Sequence, residues 1–142
     1  MARFLTVALA VVLMAAGDAA AEDMRTAITL PADMRGDFLE HMRDHMDSLD
    51  DVMVELAAAD FKAAATVARE RLVPGTGAGF GRFLPIEFRE MGLAMHRAAA
   101  EFAQVVARVP PEPTAADWQQ AMTALEDITA QCRGCHSAFR IE

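Results

Sequence analysis

Ile128-Thr129-Ala130-Gln131-Cys132-Arg133-Gly134-Cys135-His136-Ser137-Ala138-Phe139 carries two patterns at once. Its cysteines are the only two in the chain, and a histidine follows them directly. C-x-x-C-H is the spacing of c-type haem attachment. Each thiol adds to one haem vinyl group, and the adjacent imidazole becomes an axial ligand of the iron. Cys135 stands three residues after Cys132 and His136 four, so a single helical face presents all three. The second pattern is the periodicity: Trp118, Ala121, Leu125, Ile128, Cys132, Cys135 and Phe139 alternate spacings of three and four. That is the stripe of an amphipathic helix, and it places both thiols on the buried side. A haem slotted between helices requires that placement. A surface disulfide or a solvent-facing zinc knuckle does not.

Three other readings compete for the motif. A thioredoxin-like C-x-x-C needs a strand-helix context, and nothing before Cys132 has the pattern of a buried strand. A closed zinc site needs four ligands, so His41, His45 or His96 would have to complete it. A plain disulfide leaves His136 without a role.

Three more helical stripes precede this one. Leu39, Met42, Met46, Leu49, Met53 and Leu56 form the first, opened by Pro31 and with Asp33 at the positive end of the helix dipole. His41 and His45, four apart, have a metal-clasp spacing but sit among acidic neighbours, and are read as surface histidines. Asp60 caps the second helix, whose buried face is Phe61, Ala64, Ala65, Ala68 and Leu72. Residues 73–81 then break all periodicity. The glycines there follow no strand and precede no Lys-Ser/Thr pair, so they read as a connection rather than a phosphate loop. Pro85 restarts a helix through Phe88, Met91, Met95, Ala98, Phe102 and Val105, with His96 at the boundary of the stripe. Gly92 costs that helix about 1 kcal/mol relative to alanine; it marks either a close approach by a backbone or flat cofactor, or a tolerated glycine. Thr114 with Asp117 forms a capping box for the fourth helix. Four stripes and three connections predict an all-α, antiparallel up-down-up-down four-helix bundle, an architecture that holds cofactors in its interior.

At the other end, Arg3 precedes an apolar run from Phe4 to Ala16 that closes on small residues through Ala21. This predicts a secretory signal over residues 1–21 and one domain over 22–142, in a periplasmic location. No membrane anchor is expected after cleavage. Formal net charge is −8. Arg3 and Asp18 would leave together with the signal, one charge of each sign, so the mature value stays the same. Such acidity argues against nucleic-acid binding and suits basic redox partners as well as simple solubility.

Taken together, these residues resemble the cytochrome c prime family, four-helix bundles with one haem near the C-terminus. The match is Cys132-x-x-Cys135-His136-x-x-Phe139-Arg140, with Phe139 where the family often has tyrosine. Pro74-Gly75-Thr76 is similar to the family's turn between its second and third helices, and Arg35 followed four residues later by Leu39 resembles its first-helix pattern. The likeness covers the whole of 22–142, and its specific part is the haem motif. It implies thioether anchors at Cys132 and Cys135, a proximal ligand at His136, Arg140 beside the proximal face and Arg35 near a propionate. It also implies a possible homodimer. The family divides by its distal side: an apolar residue leaves iron open to NO or CO, whereas a methionine makes an electron carrier. Leu39 fits the first pattern and Met42, one turn on, the second.

The expected function is therefore a periplasmic monohaem c-type cytochrome that carries electrons, with haem c as its one cofactor and iron ligands His136 and Met42. The alternative is a five-coordinate protein binding NO or CO under Leu39. A redox enzyme would need an acid or base over the iron, and the four stripes offer none, so no catalytic residue is assigned. Helical level leaves Leu39 and Met42, since at about 1.5 Å rise per residue Met46 and Met53 lie progressively too far along the first helix, and the flexible thioether of Met42 favours it of the two.

Overall fold

The structure is a computed structural model, and it describes residues 22–74 and 79–142. The signal segment at 1–21, and Gly75-Thr76 of the family-like turn, lie outside the described residues. The described residues are mostly helical, with four α-helices: α1 (Ala32–Ala57), α2 (Phe61–Arg71), α3 (Ile86–Val106) and α4 (Ala115–Ala138). A short 3-10 turn, Phe80–Arg82, precedes α3. Two three-residue strands, β1 (Thr26–Ile28) and β2 (Phe139–Ile141), pair in parallel with Thr26 opposite Phe139 and Ile28 opposite Ile141. The periodicity of the fourth stripe carries on to Phe139, but its helix stops at Ala138, where the backbone turns extended to join β1.

Local chemistry sets the helix ends. Pro31 and Pro85 stand immediately before α1 and α3, each with φ near the value that the proline ring fixes (−52° and −51°). The Asp60 carboxylate accepts from the Ala63 backbone N–H at 2.9 Å. The capping box on α4 is present in both halves, Asp117 N–H to Thr114 Oγ1 at 3.3 Å and Thr114 N–H to Asp117 Oδ2 at 2.8 Å. Between α1 and α2, Ala59 takes a left-handed φ of 58°. Its N–H donates to Leu56 O (2.8 Å) while Asp60 N–H donates to Glu55 O (2.9 Å), which satisfies the last carbonyls of α1.

Helix lengths then decide where the core sits. At about 1.5 Å per residue, α2 is roughly 16 Å long and α1 roughly 39 Å. The buried face of α2, Phe61, Ala64, Ala65, Ala68 and Leu72, clusters only with Leu49, Val52 and Leu56 from the later half of α1. Met95, Ala99, Phe102, Ala103 and Val106 from α3 and Ala121, Leu125 and Ile128 from α4 complete this main core. The early half of α1 belongs to a second cluster, where Ile28, Leu30 and Phe38 meet Phe80, Phe88 and Phe139. Phe38 lies edge-on to Phe80 (5.4 Å), as Phe139 does to Phe88 (5.4 Å).

The first stripe is rotated from its expected line. Met46 and Met53 are exposed (56% and 46%), whereas Phe38, Ser48 and Val52 are buried. α1 keeps Leu49 and Leu56 of that stripe in the core, and Val52 takes the inner place expected of its neighbour Met53.

Candidate functional site

Consecutive helices pack on one another, α3 on α4 most extensively, while α1 and α4 make few close backbone approaches. A cavity of about 520 Å³ lies where the two apolar clusters meet. Its wall is apolar almost throughout, and the size falls within the range of pockets that hold small ligands and cofactors. From α4 it takes Gln131, Cys132, Cys135 and His136; from α1, Leu39, His41, Met42, His45 and also Met46, which the sequence placed too far along the helix; from α3, Arg89, Met91, Gly92, Leu93, Met95 and His96. Phe38, Phe80, Phe88 and Phe139 of the second cluster also line it.

Five residues singled out from sequence thus share one cavity wall: Cys132, Cys135, His136, Leu39 and Met42. The two arginines do not join them. Arg35 is exposed in the opening turns of α1. Arg140, in β2, pairs with Glu142 (2.6 Å), and its Nε lies 3.8 Å from Asp23 Oδ2. The cysteines are free thiols, half-buried, and Cys132 packs against the main core. Burial pushes both thiols up, and the neighbouring Cys132 charge adds to the effect on Cys135. Both are therefore protonated at neutral pH.

Gly92 has no near neighbour: an added Cβ would meet nothing within 4 Å among the described residues. A close backbone approach is not the reason for this glycine. It lines the cavity with open space before it, which fits a tolerated glycine as well as room for an occupant.

The histidines differ most from expectation. His41 and His45 are half-buried rather than on the surface, and with His96 they form a row along the wall. Ring centroids are 4.5 Å apart for His41 and His45 and 5.3 Å for His45 and His96. The physical reason is the short α2, which leaves the early half of α1 uncovered and turns its polar flank toward the cavity. His96 Nδ1 lies 2.9 Å from Leu72 O, and His45 Nε2 is buried without a hydrogen-bond partner among the described residues. Burial first, then the charges of His41 and His96, pull His45 down to about 4 against the opposing effect of Asp44. Burial also lowers His96, opposed by its bond to the Leu72 carbonyl. The sequence signal for this row was present in the spacing of His41 and His45, but only the α1 rotation gives it meaning.

Among the described residues, no three His, Cys, Asp or Glu side chains are arranged to hold a metal ion, so the closed zinc reading of the cysteine pair finds no ligand set there. Among the same residues no helix is long and apolar enough to cross a membrane. No family model, curated protein or solved structure matches the chain.

Proposed function

We propose that the protein is a periplasmic monohaem c-type cytochrome of the cytochrome c prime kind, an electron carrier whose four helices run up, down, up and down around one haem c. The observation that carries this reading is a single apolar cavity walled on one side by Cys132, Cys135 and His136 and on another by Leu39 and Met42. The residues fit the group. Two adjacent thiols stand with an imidazole on the last turns of α4, the wall is apolar, and a glycine leaves room for a flat ring.

In this reading Cys132 and Cys135 hold the group as thioethers and His136 supplies the proximal nitrogen. A haem c bound there supplies a one-electron couple whose potential is tuned by the axial ligands and the surrounding dielectric. The protein's part is to exclude water with the phenylalanine cluster and to fix the ligands on rigid helices. An acidic surface suits transient docking of a basic redox protein.

The second reading, NO or CO binding, rests on Leu39 lining the same wall as Met42. An absorption spectrum of oxidised and reduced protein, with and without CO, separates the two. Electron transfer under Met42 gives low-spin iron that resists CO, and Met42→Ala converts it to a high-spin, CO-binding form. A wild type that is already high-spin and binds CO overturns the Met42 assignment and puts Leu39 over the open face.

A further inference from the structure

The last turn of α4 carries His136, and its free end is held from the beginning of the described chain. Helix ends leave carbonyls without intrahelical partners. At this end, Phe139 N–H closes on Cys135 O, and the His136 carbonyl accepts from Arg25 Nη1 at 3.3 Å across 111 residues of sequence. A cation is favoured there by the negative end of the helix dipole.

Arg25 is itself fixed. Asp23 accepts from its Nε at 2.9 Å and its Nη2 at 2.6 Å, and also from its backbone N–H at 3.1 Å. The guanidinium holds the Asp23 carboxyl down to about 2, so the pair stays charged at any ordinary pH. Immediately beyond, β1 pairs with β2, Glu142 N–H donates to Ile28 O at 3.1 Å, and Ile28 and Leu30 are buried. Strand pairing fixes the chain after α4, and Arg25 reaches back over the turn before it.

We propose that Arg25, oriented by Asp23, is a positioning residue for His136: by bonding the His136 carbonyl it fixes the last turn of α4 and so the placement of the imidazole on the cavity wall. The proposal rests on His136 being the iron's proximal ligand. Arg25 is exposed enough (side chain 42%) for its removal to leave the fold standing.

The test uses protein made with haem-maturation machinery, as wild type, Arg25→Ala and Arg25→Lys. Amide exchange over residues 136–142 and the electron paramagnetic resonance spectrum of the oxidised iron are read on one preparation. Losing one charge-assisted bond raises exchange about tenfold in Arg25→Ala, the iron signal broadens or splits, and Arg25→Lys restores both in part. Faster exchange with an unchanged iron signal overturns the positioning role and leaves Arg25 a structural clip. No change in either overturns the proposal entirely. A preparation whose intact mass lacks haem overturns the functional reading and the ligand role with it, while its exchange rates still report whether Arg25 holds the end of α4.

Discussion

His45 shows what one side chain inherits from its surroundings. An imidazole with an ordinary value of 6.5 is drawn down to about 4, chiefly by burial. Between those two values the unfolded chain holds the extra proton and the folded chain does not. Stability therefore falls as pH drops from 6.5 toward 4 and levels off below. The shift and the partial exposure together set the size of the loss at on the order of 2 kcal/mol. Thermal melts across that window should show a clear slope for wild type and a flatter one for His45→Leu; equal slopes would place the acid sensitivity elsewhere. None of this was legible in the sequence, where a histidine among aspartates reads as solvated. That Cys132, Cys135 and His136 share one face of a helix was legible, because their spacing fixes it and all three line the cavity, whereas a buried histidine has no spacing rule of its own.

At the scale of elements, sequence pattern located the four α-helices of the described residues, and its errors lie in phase and in termini. Asp60, the capping box of Thr114 and Asp117, and the α2 face were readable because each is decided within a few residues. The α1 face was readable only in part: Leu49 and Leu56 are in the core as expected, whereas Met53 gives way to its equally apolar neighbour Val52, a choice made by packing against α2. The β1–β2 ribbon was also hidden: two three-residue strands from opposite ends of the chain carry no local signature. Helix α3 yields a prediction from its glycine. Gly92→Leu gains about 1 kcal/mol of helix propensity and projects a side chain into the cavity. It should fold with unchanged helix content by circular dichroism while the haem-to-protein ratio falls severalfold. Full loading with a wild-type spectrum would show that the occupant does not lie over Gly92.

For the whole molecule, the helix lengths explain the cavity. Because α2 spans less than half of α1, the helices pack tightly on small residues at one level and part at the other, where phenylalanines and the ribbon gather. The opening coincides with the C-x-x-C-H turn of α4. The proposed covalent attachment there would make the group part of the chain, which distinguishes this reading from every non-covalent occupant of the same space. The direct measurement is intact mass before and after acid-acetone extraction, on protein exported from a cell with haem-maturation machinery. The account predicts a chain beginning at or near Glu22 that is heavier by one haem, with the added mass surviving extraction and lost when Cys132 and Cys135 are both changed to alanine. A chain of bare mass, or one that surrenders its haem to the solvent, contradicts it.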